Sequence, residues 1–302
     1  MTEKNLPKIG FIGLGLMGSA IVEHLLDLKY PMNVLGHRRR EAIDAAVAKG
    51  ATESKNAAEL AGASDIVIVC VDTSKTVESL MYGEQGVIAG VKPGTMVIDF
   101  GTSLPESTKE IGEKLRAAGA HYMDAPLGRT PAHARDGLLN IMAAGERADF
   151  DKVEPVLKDI GENVFHVGPL GAGHTLKLIN NFFGMTLATA MSEAFAMADL
   201  AGIERADLYS IMSAGPLHSA MMDFVKANAV DGDPTKLAFS ISNARKDLGY
   251  YNEMSKALSA DSFIAPATEK ALSVAESSGY GGKDVPVMVD FFAKAFAAPA
   301  EK

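Results

Sequence analysis

Cysteine is almost absent from this chain of 302 residues, which contains only Cys70. A single cysteine cannot form an intramolecular disulfide, and in the apolar run DIVIVCV a small buried hydrophobic role is expected. The sequence also lacks an apolar run of bilayer length, and its start, MTEKNLPKIG, lacks the features of a signal peptide. We therefore expect a cytoplasmic protein in a reducing compartment.

An excess of positive charge is also missing. The formal net charge is -9, and no extended basic stripe is interleaved with aromatic residues, so we expect no nucleic-acid partner. The seven histidines form no pair four residues apart and no HExxH pattern, so we expect no metal site. A lone histidine in an apolar or loop context is more often structural, which applies to His133 and His174 unless they line a cleft.

The first half of the chain alternates short β-rich runs with segments of helical periodicity. The runs KIGFIG, MNVLGH, DIVIVCV, TMVIDF and NIMAAG have the composition of buried strands, and SAIVEHLLDLK and EAIDAAVAKG have helical spacing. This alternation predicts an α/β domain with a doubly wound, mostly parallel sheet. A chain of this length is also expected to divide into two domains.

From about Gly171 the strand signals stop. The segment LKLINNFFGMTLATAMSEAFAMADLAG is apolar on nearly all sides and has Glu193 as its first acid, which predicts a long helix that is buried on all sides. KLAFSISNARKDLGYYNEMSKAL and APATEKALSVAESSG are also helical in pattern. We therefore predict a sheet domain at residues 1–165 and an all-α second domain at residues 166–302.

A glycine motif follows the first predicted strand. In GFIGLGLMGSAI, Gly13, Gly15 and Gly18 have GxGxxG spacing, and a helical pattern begins directly after them. The first glycine permits a tight turn, the second lets a pyrophosphate approach the backbone, and the third permits close helix packing. The first helical amides, at Leu16, Met17 and Gly18, then face the anion. In this context we predict a dinucleotide site, although the spacing alone also fits an ordinary glycine turn.

The end of the second predicted strand indicates which dinucleotide is bound. NAD-binding loops usually carry an acid about twenty residues after the glycines, where it accepts the ribose 2′-hydroxyl. Here the stretch is Gly36-His37-Arg38-Arg39-Arg40, which has no carboxylate. Guanidinium groups suit a 2′-phosphate, so His37, Arg38 and Arg39 are candidate cofactor contacts. NADP is favoured and NAD is the second choice, and the alternative is a solvated basic start of the next helix.

Two polar residues are prominent in GAGHTLKLINNFFG. Lys177 and Asn181 are four residues apart and share one face of an otherwise apolar helix. Burying an ammonium group without partners is costly, so either Lys177 reaches the surface or a site uses it. A lysine beside an oxidised nicotinamide, which is itself positive, loses proton affinity and can act as acid or base near neutral pH. The spacing alone leaves the two alternatives even.

The loop DAPLGRTPAHARDG, residues 124–137, places Arg129 beside a glycine after a predicted strand. In an open α/β sheet the carboxyl ends of the strands face the ligand. The Arg129 guanidinium is therefore a candidate to bind an anionic ligand group, with bidentate geometry available to it. The alternative is a surface ion pair with Asp124 or Asp136, which is at least as frequent for loop arginines.

Together, GFIGLGLMGS, the DAPLG loop, GAGHTLKLINN and the late KDLG resemble the β-hydroxyacid dehydrogenases, which include 3-hydroxyisobutyrate dehydrogenase and tartronate semialdehyde reductase. The resemblance extends from about residue 8 to about residue 295. It implies the 6-phosphogluconate-dehydrogenase-like architecture, in which an N-terminal Rossmann domain is followed by an all-α domain. It also implies that Lys177 exchanges a proton with the substrate oxygen and that Asn181 orients the substrate. The further site residues that it implies are Thr102 beside the nicotinamide, Phe239 and Asp247 at the closure of the site, and Lys246 at the cofactor.

One motif departs from the common family pattern. Where most members have Asp-x-Pro-x-Ser-Gly-Gly, this chain has Asp-Ala-Pro-Leu followed by Gly128, Arg129 and Thr130. The Gly-Arg-Thr version resembles the loop of bacterial sulfolactaldehyde reductases, which reduce a sulfonated three-carbon aldehyde. Pro131 and His133 then depart from that pattern, where a serine and an asparagine are usual. The resemblance implies that Gly128, Arg129 and Thr130 bind the substrate.

We therefore expect an oxidoreductase that transfers hydride between NADP and a small anionic semialdehyde or β-hydroxyacid, with a sulfolactaldehyde-like substrate favoured. The alternatives within the family are 3-hydroxyisobutyrate dehydrogenase and tartronate semialdehyde reductase activity. A non-catalytic dinucleotide-binding sensor is the rival outside enzymes, and the presence of Lys177 and Asn181 argues against it. As in the family, we expect a homodimer or homotetramer.

Overall fold

The computed structural model describes residues 6–36 and 40–297. Its internal contacts divide the chain into two compact units, of which the first ends at Lys177 and the second begins at Leu178. This division lies inside a long helix. The boundary between residues 165 and 166 stays a prediction of where the two functional domains meet.

The first unit contains a six-stranded parallel sheet in the order β3-β2-β1-β4-β5-β6. Strands β1, β4 and β5 are buried along their whole length, as expected for a parallel sheet that is covered on both faces. The doubly wound sheet predicted from the sequence is confirmed. The strands are β1 (Ile9–Ile12), β2 (Met32–Leu35), β3 (Thr52–Ser54), β4 (Ile66–Val69), β5 (Met96–Asp99) and β6 (His121–Asp124).

Alternate strand residues enter two separate apolar cores, because successive side chains of a strand point to opposite faces. Phe11 and Ile68 join residues of α1, α2 and α8 on one side, and Val67 and Val97 join residues of α3, α4 and α6 on the other. These helices, with the short α5, therefore cover both faces of the sheet. Their bounds are α1 (Leu16–Asp27), α2 (Arg40–Ala48), α3 (Ala57–Gly62), α4 (Ser74–Met81), α5 (Val87–Gly90), α6 (Pro105–Ala117) and α8 (Arg147–Ile160).

A small three-stranded sheet completes this unit. Its strands are β7 (Leu127–Gly128), β8 (Leu139–Ala143) and β9 (Gly161–His166), and α7 (Pro131–Arg135) connects the first two. Strand β7 is antiparallel to β8, and β9 is parallel to it. Strand β8 confirms the run NIMAAG, whereas β3, β7 and β9 were not predicted.

The single cysteine, Cys70, directly follows β4. It is partly buried against the apolar core, and burial raises the pKa of its thiol to about 12.

The second unit is helical, and its described part contains no strand, which confirms the all-α prediction. Helices α12 and α13 pack against each other, and Phe182 stacks on Tyr251 with ring centroids 4.3 Å apart. The helices are the rest of α9 (Ala172–Leu200), then α10 (Arg205–Ser213), α11 (Ala220–Ala229), α12 (Ile241–Ala257), α13 (Ala265–Ala275) and α14 (Met288–Ala297).

The long helix α9 has 29 residues. The prediction that it is buried on all sides is wrong for the single chain, because Ile179, Phe183 and Met197 are exposed, Phe183 by 69%. Their spacing places these three side chains on one face of the helix. The described residues cover this face only in part, and the homo-oligomer that would cover the rest stays a prediction. Neither α9 nor another described helix combines the length and apolar character needed to cross a membrane.

Candidate active site

The glycine loop between β1 and α1 is crowded at its two ends and open in its middle. Gly13 has a φ of +103°, and a Cβ there would lie 2.2 Å from the carbonyl oxygen of Cys70. A Cβ on Gly18 would lie 1.9 Å from the carbonyl oxygen of Gly13, so α1 packs directly on the loop. A Cβ on Gly15 would meet no heavy atom within 4 Å. Only glycine fits at the crowded ends, and space for a ligand exists at Gly15.

The loop leads into the start of α1 at Leu16. Gly15 is the N-cap, no side chain caps the helix, and no acid lies in its first turn. The first amides of a helix have no acceptor within it, and the aligned peptide dipoles make this end positive. Leu16, Met17 and Gly18 thus present amides beside the open space at Gly15. This arrangement fits the pyrophosphate of a dinucleotide.

The end of β2 is where the ribose of a dinucleotide would contact the protein. Gly36 is the last described residue there, and His37, Arg38 and Arg39 lie outside the described residues. Arg40 begins α2 and donates hydrogen bonds to Glu53 at 2.6 Å and to Asp44 at 2.9 Å. Hydrogen bonds to these two carboxylates raise the pKa of Arg40 above its ordinary value. Arg40 is therefore bound to the protein's own acids, and Arg38 and Arg39 stay the candidate phosphate contacts.

The loop that follows β5 contains Thr102. The carboxylate of Asp99, the last residue of β5, is fully buried. It accepts hydrogen bonds from the amide of Gly101 at 2.7 Å and from Oγ of Ser103 at 3.0 Å. The amide of Leu104 donates to Oγ of Ser74 on α4 at 2.7 Å. These bonds hold residues 100–104 in one conformation, with Thr102 half-buried at its centre.

The loop that follows β6 begins at Asp124, which is also fully buried. Its two carboxylate oxygens accept hydrogen bonds from the amides of Gly171 and His174, both at 2.7 Å. These amides belong to the N-terminus of α9, so Asp124 caps the helix that contains Lys177. Burial raises the pKa of Asp124, and the His174 imidazole and the amide hydrogen bonds oppose the rise.

Arg129 lies farther along the same loop with its side chain 29% exposed. Its φ is +76°, a conformation that is uncommon for residues other than glycine. Its Nη1 donates to the carbonyl oxygen of Leu138 at 2.6 Å and pairs with Glu162 on β9. The predicted alternative partners, Asp124 and Asp136, are not its partners in these contacts, and the buried Asp124 is occupied by helix capping.

The flanking loop residues are also partly accessible. Gly128 forms a backbone pair with Asn140 on β8 and is half-buried. Oγ1 of Thr130 lies 2.7 Å from Nδ1 of His133. The structure therefore gathers Gly128, Arg129 and Thr130 at the edge of the small sheet, as one surface of the first unit.

Helix α9 contains Lys177, which is half-buried, and Asn181, which is buried. In the second unit, Nδ2 of Asn181 donates to Oδ2 of Asp247 at 2.6 Å. Nζ of Lys246 lies 3.0 Å from Oδ1 of Asp247 and 5.4 Å from the ring centroid of Tyr250. Asn181, Lys246 and Asp247 thus form one polar group inside the helical unit, in which a buried carboxylate fixes the asparagine amide.

Phe239 lies elsewhere in this unit, just before α12. It is half-buried against the helical apolar core, and its carbonyl oxygen accepts a hydrogen bond from the amide of Val285 at 2.9 Å. The contacts above join Asn181, Lys246 and Asp247, whereas those of Phe239 are with the core. Its role at the substrate stays a prediction.

Comparison with known families agrees with these features in both units. Residues 8–168 match the family described as the NAD binding domain of 6-phosphogluconate dehydrogenase. Residues 171–292 match the family described as NAD-binding of NADP-dependent 3-hydroxyisobutyrate dehydrogenase. The chain belongs to the 3-hydroxyisobutyrate dehydrogenase-like β-hydroxyacid dehydrogenases. It is an NAD(P)-dependent enzyme of this family, and the resemblance inferred from its motifs is confirmed.

Several β-hydroxyacid dehydrogenase relatives are similar over nearly their whole length. The 2-(hydroxymethyl)glutarate dehydrogenase of Eubacterium barkeri is 31% identical over 95% of each chain. The 3-sulfolactaldehyde reductase of Escherichia coli is 30% identical over 91% of this chain and 92% of the relative. The crystal structure of 3-hydroxyisobutyrate dehydrogenase from Salmonella typhimurium has a TM-score of 0.82 and 27% identity, and covers 94% of this chain and 99% of its own. These relatives act on different compounds, so the family is established while the substrate is not.

Some residues of this dehydrogenase that shape the site were not singled out from the sequence. Asp99 and Glu162 contact a predicted site residue or its loop, and Glu53 binds Arg40, which follows the candidate phosphate contacts. Asp99 had a usable signal, because an acid at the end of a fully apolar strand needs hydrogen-bond donors when buried. Glu53 and Glu162 had no usable sequence signal, since each lies on a short or polar strand that sequence pattern does not reveal.

Proposed function

We propose that this β-hydroxyacid dehydrogenase uses NADP to reduce a small anionic semialdehyde, with a sulfolactaldehyde-like compound as the favoured substrate. The observation that carries the proposal is Arg129. It stands at the first glycine of the family's Ser-Gly-Gly segment and keeps a positive φ of +76°. A non-glycine residue in this conformation costs about 1–2 kcal/mol, and such outliers concentrate at functional sites.

The guanidinium of Arg129 retains donors for a ligand. Both of its protein contacts, to Leu138 and Glu162, are made by Nη1. Arginine has five N–H donors in a planar fork, so Nε and Nη2 form a second edge that matches two oxygens of a sulfonate or carboxylate. The Glu162 pair then serves to orient this edge. The similarity to the Escherichia coli 3-sulfolactaldehyde reductase supports the same substrate class.

The remaining site residues take the roles that the family resemblance implies. When bound, the cofactor would supply the hydride. Lys177 donates a proton to the substrate oxygen as negative charge develops on it. Asn181 orients the substrate through its amide, and Asp247 fixes that amide by accepting a hydrogen bond at 2.6 Å. Because Asn181 and Asp247 are both buried, this orientation is maintained without competition from bulk water.

The cofactor preference can be tested by replacing Arg38. We expect NADPH to have a higher kcat/KM than NADH by roughly tenfold to a hundredfold, since a charged hydrogen bond is worth about 1.5–3 kcal/mol. Arg38→Ala should remove most of this ratio, as measured by steady-state kinetics with both cofactors. The control is Arg147→Ala, which removes a surface arginine paired with Asp151 and should leave the ratio unchanged. Equal kcat/KM values for the two cofactors in the unaltered enzyme would refute NADP preference.

The proton-transfer role can be tested by Lys177→Ala. We expect kcat to fall by roughly two to four orders of magnitude, the usual contribution of a positioned acid. NADPH binding, measured by cofactor fluorescence, and thermal unfolding should change little. The control is Lys158→Ala, a surface lysine paired with Glu154, which should retain full turnover. A Lys177→Ala enzyme with more than about a tenth of the original kcat would exclude this lysine as the acid.

Substrate recognition can be tested by Arg129→Ala. We expect KM for sulfolactaldehyde to rise by roughly tenfold or more, while kcat/KM for neutral glyceraldehyde stays nearly constant, because only the charged substrate loses a hydrogen bond of about 1.5–3 kcal/mol. Tartronate semialdehyde, assayed in parallel, distinguishes a sulfonate from a carboxylate preference.

The matched control for Arg129 is Glu162→Gln, which removes the charge of its protein partner. This variant should leave KM for the anionic aldehyde nearly unchanged, because the glutamine side chain has the same shape and its amide oxygen still accepts the hydrogen bond from Nη1 that orients the guanidinium. If both variants lower thermal stability alike and neither alters KM, the ion pair is only structural and the substrate proposal loses its basis.

A further inference from the structure

A fully buried histidine lies at the start of α9. His174 has no exposed surface, and Thr108, Asp99 and Asp124 around it are also buried. Its amide donates to Asp124 at 2.7 Å, and its Nδ1 lies 2.7 Å from Oγ1 of Thr108. Its Nε2 lies 3.7 Å from Oδ2 of Asp99. Of the two alternatives left open by the sequence, His174 therefore does not line an open cleft.

The contacts of its two ring nitrogens orient the imidazole of His174. Nδ1 is hydrogen-bonded to Oγ1 of Thr108 at 2.7 Å, and this Oγ1 also lies 3.1 Å from the carbonyl oxygen of Leu104. Nε2 faces the carboxylate of Asp99.

The three residues that His174 contacts belong to two parts of the proposed reaction site in the first unit. One part is the Thr102 loop and the other is the start of α9. Asp99 holds the loop 100–104, which contains Thr102, and Thr108 lies in α6, which begins directly after that loop. Asp124 caps α9, in which Lys177 follows His174 by three residues. The imidazole is thus the side chain that connects the Thr102 loop to the first turn of the lysine helix.

We propose that His174 is a positioning residue for hydride transfer, which fixes the Thr102 loop relative to Lys177. This inference rests on the proposed function for its kinetic consequences. A histidine that only filled the core would contribute to stability and leave the chemical step unchanged. A positioning residue affects the step itself, because small displacements of reacting groups cost large factors in rate.

Two variants remove the connection in different ways. Thr108→Val deletes the hydroxyl while keeping the side-chain shape, and His174→Gln moves the amide away from the Nδ1 position. His174→Asn is the rescue variant, because its side-chain amide can take the place of Nδ1 and, having both a donor and an acceptor, form the hydrogen bond with Thr108. The control is His166→Gln, which alters another histidine of this unit, bonded to the carbonyl oxygen of Gly145 at 2.9 Å.

We expect Thr108→Val and His174→Gln to lower kcat by about tenfold to a hundredfold, with KM for the aldehyde within about threefold of its original value. The primary isotope effect with deuterated NADPH should increase, because hydride transfer becomes more rate-limiting. His174→Asn should recover most of kcat, and His166→Gln should change only thermal stability. Lower melting temperatures with unchanged kcat and isotope effect in both variants would overturn the proposal.

A second measurement does not depend on turnover. In both disrupting variants, the emission of bound NADPH should shift, since its nicotinamide environment changes, while the NADPH Kd stays within about threefold because the glycine loop is intact. When no cofactor is bound, the backbone amides of residues 100–108 should exchange hydrogen faster in both variants than in the unaltered enzyme. Should the unaltered enzyme reduce no aldehyde, the proposed substrate fails, and these two signals still decide the role of His174. An unchanged emission together with unchanged exchange would refute it.

Discussion

A buried carboxylate has to find hydrogen-bond donors, and at the ends of β5 and β6 this requirement shapes the loops that follow. Asp99 accepts hydrogen bonds from donors in its own loop, so residues 100–104 fold around its carboxylate. Asp124 takes its donors from a segment about fifty residues away, at the start of α9. This carboxylate therefore helps to hold the first turn of α9, up to Lys177, at the sheet of the first unit.

A second constraint in the same unit is close packing at the glycine loop, where the nearest contacts are with backbone atoms. Gly13 and Gly18 are crowded to the point that no Cβ fits, while the start of α1 keeps its amides and its open side at Gly15. At the end of β2 the neighbouring carboxylates are already occupied, because Glu53 and Asp44 both accept hydrogen bonds from Arg40. Helix amides at the start of α1 thus provide the anion-binding potential of this edge, and the contribution of Arg38 and Arg39 stays a prediction.

Sequence pattern predicted those elements whose burial is uniform. Strands such as β1, β4 and β5 are covered on both faces and appear as unbroken apolar runs, and the glycine spacing reflects close contacts within one loop. Strand β3, with the sequence TES, and β9, with GENVFH, are too polar or too exposed to produce such a run. The long helix was predicted correctly. Apolar residues on all its sides, however, do not indicate whether a given face packs within the same chain or against another one.

The contacts that complete the candidate site depend on tertiary structure. Arg129 directly follows β7 and pairs with Glu162 on β9, and sequence periodicity revealed neither of these strands. The ion pair considered as the alternative to ligand binding named Asp124 and Asp136 instead. The connection of His174 with Thr108 spans 66 residues, so no local pattern indicates it. Family motifs predict Lys177, Asn181 and Asp247 as site residues, and the structure adds the hydrogen bond that joins Asn181 to Asp247.

The proposed reaction is hydride transfer from a nicotinamide cofactor to the carbonyl carbon of an anionic aldehyde. The most direct measurement uses NADPH deuterated at C4 of the nicotinamide, in separate reactions for each face, with sulfolactaldehyde and tartronate semialdehyde. Mass spectrometry of the product alcohol then reports the label. We expect one deuterium at the former carbonyl carbon from one of the two labelled faces and none from the other. Cofactor binding without label in any product, from NADPH or from NADH, would contradict it.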